Sequence, residues 1–289
     1  NEVLRQSEQS GILYNATMIR QMITHDDITQ LPKIRFTGFS DIKPMPGAEL
    51  IEALADSYHH VGLDDTIVVT RSNKRANIFN QGIRNMVLDR EEELSQGDIL
   101  MIVKNNYYWM EEERKKMKEK DNQVPSNEIP AFLANGDRAK VLKVRRRIDL
   151  YGFRFATLLL QFPDYGNYEL EATVLLDTLT SEAPALTHEQ QEQLFHQIEE
   201  DYQDVPLKAD RMKAIRQDQF YNALQVKFAY AVTCHKAQGG QWAHVYVDQG
   251  YMTDDMLTPD YIHWLYTAFT RATEMLYLVN WPETQIETS

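Results

Sequence analysis

At 289 residues, 43% of them hydrophobic, the chain is long enough for about two domains with real cores. A net charge of −13 argues against a protein that coats nucleic acid by bulk electrostatics and leaves room only for a local basic groove. No window approaches about eighteen uncharged apolar residues, and the start has no basic region followed by an apolar one, so neither a membrane span nor a signal peptide is indicated and a cytoplasmic protein is expected.

The single cysteine, Cys234, excludes an internal disulfide and a Cys-rich zinc site, and it reads as a small buried residue. The chain opens without an initiator methionine, as a fragment does. In VLRQSEQSGILYNATMIRQMI the charged residue of interest is Arg5, which taken alone is a solvated terminal arginine. HDDITQLP, residues 25–32, reads as a loop entering a strand at 34–39. Helical spacing of Leu50, Ile51, Leu54, Ala55 and Tyr58 predicts an amphipathic helix over 48–60. A short apolar strand, TIVVT, follows at 66–70, then a turn, TRSN, and a second amphipathic helix over 73–88. Ser72 or Asn73 is placed to cap that helix.

Character changes near residues 94–98. From 99 to 179 the strong patterns are strand-like: ILMIVKN, RAKVLKVRRRI, FRFATLLLQF and YELEATVLL. With no βαβ units among them, they predict a small antiparallel β-barrel. EEERKKMKEK, residues 111–120, reads as a solvated helix or loop, with Glu111 facing Lys115 and Glu112 facing Lys116. The run Lys140, Lys143, Arg145, Arg146, Arg147 is denser, but strand alternation sends such charges to both faces. A capping box from Thr187 to Gln190 opens a helix carrying Leu194, Phe195, Ile198 and Tyr202. A further helix over 207–222 and strands at 244–248 and 275–280 complete the chain. These last elements rejoin the α/β layer left at residue 95. The expected division is 1–95 for the first part of an α/β domain, 96–182 for an inserted barrel and 183–289 for the second part of the α/β domain.

Two stretches concentrate polar chemistry. Residues 228–233 form an apolar run that reads as a buried strand, of the kind usually central in a parallel sheet. It leads into Thr233, Cys234, His235, Lys236, Gln238, Gly239 and Gly240, polar side chains followed by flexible backbone at a strand's carboxyl end, where open α/β sheets place ligands. The second stretch begins with Thr258-Pro259, a cap followed by a first-turn proline, and predicts a helix over 259–273. On that helix Tyr261, Trp264, Leu265, Ala268 and Ala272 share a face, with Arg271 at its margin. A guanidinium turned inward requires an anionic partner, and a carboxylate or a nucleotide phosphate would serve.

AYAVTCHKAQGGQW resembles motif V, and WLYTAFTRATEMLYLV resembles motif VI, of superfamily 1 DNA helicases of the RecD type, the type of the exodeoxyribonuclease V alpha subunit. One departure is that many relatives carry Ser and an acidic residue where this chain has Gly240 and Gln241. The segment containing Arg5 resembles the one following motif III in that family, and the strand, TRSN turn and helix of 66–88 resemble its motif IV region. GDILMIVKN with FLANGDRAKVL resembles the first two strands of the SH3-like barrel that RecD-like helicases carry inside their second motor domain.

The resemblance implies an α/β fold, a RecA-like (P-loop NTPase-type) parallel sheet with an inserted SH3-like barrel, and the C-terminal half of an ATP-dependent DNA helicase. It implies Arg271 and Arg5 as catalytic arginines at the γ-phosphate, and Gln238 and Gly239 as nucleotide sensors. Thr70, Asn73, Thr233 and His235 would be contacts to the nucleic-acid backbone; a hydrogen-bonded core histidine is the other reading of His235. ATP with Mg²⁺ and single-stranded DNA are the implied ligands. The implied partners are the missing N-terminal RecA-like domain and, in some settings, nuclease subunits; translocation would run 5′→3′. No GxxxxGK[ST] and no acidic strand end of Walker B type is found, so the chain alone is expected not to hydrolyse ATP. The rival reading is a non-catalytic nucleic-acid-binding or protein-interaction module on the same fold.

Overall fold

The helix that follows Ser10 starts against a carboxylate. In the computed structural model, which describes residues 9–120 and 129–288, helix α1 (Gly11–Thr24) follows Ser10, and strand β1 (Ile42–Met45) follows Asp41. The Asp41 carboxylate accepts from Ser10 Oγ at 2.6 Å, Gly11 N at 2.7 Å and Ile12 N at 3.3 Å. An anion there satisfies donors that no intrahelical carbonyl reaches and complements the positive helix end. The strand expected over 34–39 forms later, as β1. Asn15 takes up both backbone groups of Arg35, donating to its O at 2.9 Å and accepting from its N at 3.0 Å, and Ile34 makes only an isolated parallel bridge with Ile286.

Helix α2 (Leu50–His60), strand β2 (Thr66–Thr70) and helix α3 (Asn73–Gly82), continued by a π-turn at Ile83–Val87, fall where the sequence predicts them. Next come β3 (Ile99–Ile102), α4 (Tyr108–Glu119), β4 (Arg138–Leu150), β5 (Phe153–Phe162) and β6 (Tyr168–Leu175). Helices α5 (His188–Asp201) and α6 (Lys208–Arg216) lead to β7 (Leu224–Phe228). After β8 (Ala231–Thr233) and the single turn α7 (Cys234–Ala237), the chain ends with β9 (Trp242–Val247), α8 (Pro259–Phe269) and β10 (Ala272–Val279).

These elements form two units, Asn1–Arg90 with Tyr230–Ser289, and Glu91–Ala229. In the second unit, β3, β4, β5, β6 and β7 close a barrel. Its neighbours are antiparallel except β6 and β7, which close it as a parallel pair, so the expectation of a purely antiparallel module is corrected at that seam. Leu194, Ile198 and Ile215 of α5 and α6 pack with Phe153, Phe155 and Leu175 of the barrel. These helices therefore belong with the insertion, which runs to Ala229, whereas the expected boundary lay at 182. On α4 the ion pairs are one residue closer in sequence than expected, Glu112 with Lys115 at 2.9 Å and Glu113 with Lys116 at 3.6 Å. Two register shifts interrupt the alternation of β4, and Lys140, Lys143, Arg145, Arg146 and Arg147 are all exposed. Arg145 is paired with Glu171 at 2.7 Å.

The first unit is a fully parallel sheet in the order β1-β10-β9-β2-β8. The run 228–233 is not one central strand. Phe228 closes the barrel as part of β7, and Ala231–Thr233 is a short edge strand of the parallel sheet. Its open side is covered by a side chain: Asn80 donates to Ala231 O at 2.9 Å and accepts from Ala231 N at 2.8 Å, the pairing a neighbouring strand would supply. The α/β architecture with an inserted five-stranded barrel is thus the one read from the sequence, with the joints between its parts displaced.

Candidate functional site

Strand ends sort the candidate residues into two groups. Thr70 and Thr233 lie side by side where β2 and β8 end, with Asn73 and His235 just beyond. Trp242 and Ala272 lie side by side where β9 and β10 begin, with Gln238, Gly239 and Arg271 just before. Thr66, at the start of β2, is level with His244. The two groups are therefore at opposite edges of the sheet, about 20 Å apart at the rise of a strand. Residues 234–241 run from one edge to the other. The expectation that this segment sits at a strand's carboxyl end holds for its first residues only, because β8 is followed directly by the start of its parallel neighbour-but-one, β9.

At the edge where strands end, Thr70 is fully buried and its hydroxyl donates to Ser72 O at 3.0 Å. It shapes the turn and presents no side chain outward. Ser72, not Asn73, caps α3, accepting from Arg75 N at 3.1 Å. Asn73 is half-buried on the first turn, Thr233 is half-buried and His235 is exposed. His235 makes no hydrogen bond among the described residues, which disposes of the core-histidine alternative. Sequence reasoning missed two cations here. Arg71 lies over the rings of Tyr261 and Trp264, 5.3 and 5.8 Å from their centroids. Arg75 makes a two-pronged pair with the buried Asp248, 3.0 Å on each prong. A charge directly after a strand-ending threonine was the available signal for Arg71.

Beneath them α8 is fixed by a closed ring of buried polar groups. Tyr261 Oη donates to Gln249 Oε1 at 2.6 Å, Gln249 Nε2 to Gln285 Oε1 at 2.8 Å, and Gln285 Nε2 to Tyr261 Oη at 3.1 Å. Such a ring is costly to break because each member would be left buried and unpaired. Burial pushes the Tyr261 phenol up to about 12, so it stays a donor.

At the edge where strands begin, the helix expected over 259–273 stops earlier. Helix α8 ends at Phe269, Thr270 caps it, and Arg271 occupies the turn into β10. The placement of Arg271 on a helix face is therefore corrected, although its side chain does return to the helix. Arg271 Nε donates to Thr267 O at 2.9 Å, one of the carbonyls left free at a helix C-terminus, where a cation is favoured. Nη1 donates to Gly240 O at 2.7 Å and Nη2 to Thr270 Oγ1 at 3.1 Å. All three acceptors are neutral, and among the described residues no carboxylate pairs with this guanidinium. A guanidinium has five N–H donors, so two remain to be used. The internal salt bridge that would have been the ordinary role for Arg271 is not formed among the described residues. Gln238 and Gly239 are exposed beside it, and Gly239 has φ +81, a conformation that suits glycine. Arg5 lies outside the described residues.

Residues 228–279 match the UvrD-like helicase C-terminal domain. That match covers the segment carrying Arg271, Gln238, Gly239, Thr233 and His235, and it supports a superfamily 1 helicase domain. No curated protein matches the chain. Similar solved structures include the Pif1 helicase from Candida albicans, with 13% identity over 78% of this chain and 47% of that one and a TM-score of 0.38. They also include the Pif1 helicase from Bacteroides in complex with ADP-AlF3 and ssDNA, with 11% identity over 98% of this chain and 52% of that one and a TM-score of 0.42. The chain spans about half the length of these structures.

Cys234, between the two edges, is buried, and its Sγ lies 3.6 Å from Trp264 O. Burial pushes its thiol up to about 11, against a smaller lowering by Arg271. The thiolate is the reactive form, so at pH 8 the native thiol should react with a disulfide reagent on the order of 10²-fold more slowly than in the denatured chain. Equal rates in the native and denatured states would contradict this placement.

Proposed function

We propose that this chain is the second motor domain of an ATP-dependent DNA helicase of the RecD type, acting in the cytoplasm, with its first motor domain outside these 289 residues. The observation that carries the reading is Arg271. It lies in the segment matching a helicase C-terminal domain, has only neutral partners among the described residues and would offer its two remaining donors to an anion. ATP with Mg²⁺ is the substrate this reading implies, lying between the two motor domains. The sequence holds no GxxxxGK[ST], so on this reading the chain alone would turn nothing over.

Arg271 would stabilise the charge that spreads over the transferring phosphoryl group, a role suited to a planar fork of donors. Arg5 is assigned the same task by resemblance only. Gln238 and Gly239 would sense the nucleotide from the neighbouring loop. At the far edge Asn73, Thr233 and His235 would hold the backbone of single-stranded DNA, with Thr70 fixing the turn that presents Asn73. Residues 234–241 join the two edges, so a change at the nucleotide would be carried to the strand through one short segment. A Walker A loop encoded upstream favours this motor; an unrelated domain there favours the non-catalytic module.

In the whole protein, Arg271→Ala should leave ATP binding largely intact and lower turnover by about 10³–10⁵-fold. A normal kcat would remove Arg271 from the mechanism.

Thr233→Ala and His235→Ala should weaken single-strand binding while thermal unfolding is unchanged. Where a phosphate contact is lost, the salt dependence of binding should flatten by about one unit of slope. Unaltered affinity at every salt concentration would take the two residues off the DNA path.

A further inference from the structure

The loop that precedes β9 and the arginine that precedes β10 are built into one another. Arg271 Nη1 donates to Gly240 O at 2.7 Å. In return, Arg271 O accepts from Trp242 N at 2.9 Å, and Thr273 Oγ1 donates to Trp242 O at 3.3 Å. Gly240 N donates to Ala237 O at 3.2 Å, which ties the loop back to α7, where Ala237 is fully buried. The Trp242 backbone is thus held by the Arg271 carbonyl and the Thr273 hydroxyl, and Trp242 is itself buried at 3% exposure.

Its indole lies over residue 240. A β-carbon on Gly240 would stand 2.5 Å from Trp242 Cη2, 2.9 Å from Cζ3 and 3.2 Å from Cζ2. The first two distances are shorter than real β-carbon contacts, so a methyl there requires the ring to shift within its buried surroundings. Glycine is required at 240 by this close approach and not by backbone conformation: the left-handed residue of the pair is Gly239.

We propose that Gly240 and Trp242 are positioning residues for Arg271: the indole seats the Gly240 backbone, and the Gly240 carbonyl aims the guanidinium. This rests on the reading of Arg271 as a phosphate-contacting arginine and deepens it, since neither residue touches a phosphate. The carbonyl fixes one nitrogen of the fork and Thr267 O fixes another, which leaves the guanidinium a single orientation in which to offer its unused donors. A fork free to rotate would place those donors poorly at the moment charge develops, and misplacement by about 1 Å can cost 10²-fold in rate.

The test is steady-state ATP turnover by the whole protein. Gly240→Ala should lower kcat by roughly 10²-fold with little change in KM for ATP. The same substitution in an Arg271→Lys background should cost almost nothing further, because the aimed group is already gone. Adding Trp242→Phe to Gly240→Ala makes room for the methyl and should recover most of the loss. Normal turnover by Gly240→Ala, or an equal loss in both backgrounds, would overturn the positioning role while leaving Arg271 in place. Normal turnover by Arg271→Ala would overturn the underlying reading and this inference with it. If Gly240→Ala fails to fold, Trp242→Phe alone decides. It should reduce kcat in the wild-type background and not in Arg271→Lys, and a loss of the same size in both would count against the proposal.

Discussion

A guanidinium held by three neutral oxygens is an unfinished interaction. Arg271 is oriented by Thr267 O, Gly240 O and Thr270 Oγ1, none of which compensates its charge. Arg271 is part-buried, and a carboxylate is the partner that proteins commonly give such a group. Here the fold fixes the direction of the fork at the end of a helix, and two of its five N–H donors have no partner among the described residues. The surrounding construction follows from that arrangement. Helix α8 is pinned by the Tyr261, Gln249 and Gln285 ring, β10 starts immediately after Arg271, and Trp242 locks the loop that carries Gly240 against it.

The second constraint is the distance between the two edges of the sheet. Thr233 and Gly240 belong to one short segment yet lie at opposite ends of the strands. The segment spans that distance with little slack: Cys234 is seated against α8, Ala237 is buried, and Gly240 is bonded to Arg271. Anchors at both ends and in the middle make 234–241 a stiff connection.

Much of this was legible in the sequence, and the failures have definite causes. The apolar run of β2, the capping box at Thr187 and Gln190, and the strand patterns of the barrel depend on local propensity and periodicity, and they appear where expected. The run 228–233 misled because a buried strand of the barrel and a buried edge strand are equally apolar, and nothing local marks the passage from one sheet to another. The edge position of β8 depends on Asn80, remote in sequence. The barrel's extent was underestimated because the faces of α5 and α6 reveal that they are amphipathic and not which core they cover. Periodicity carried the last helix past its end, since Arg271 and Ala272 continue the pattern that Thr270 terminates. The return of the Arg271 side chain to that helix, with Nε on Thr267 O, is a contact across the turn that no periodicity marks. The roles of Gly240 and Trp242 were unreadable, as they arise from a ring packing over a backbone.

The most direct measurement is a crystal structure of the whole protein bound to Mg²⁺, ADP and a planar metal fluoride that imitates the transferring phosphoryl group. The account predicts that the two donors Arg271 leaves unused lie within hydrogen-bonding distance of the fluoride, with the bond from Nη1 to Gly240 O retained. A structure in which Arg271 keeps only its three neutral partners and no anion approaches it, or in which a carboxylate of the first motor domain pairs with it instead, would contradict the account.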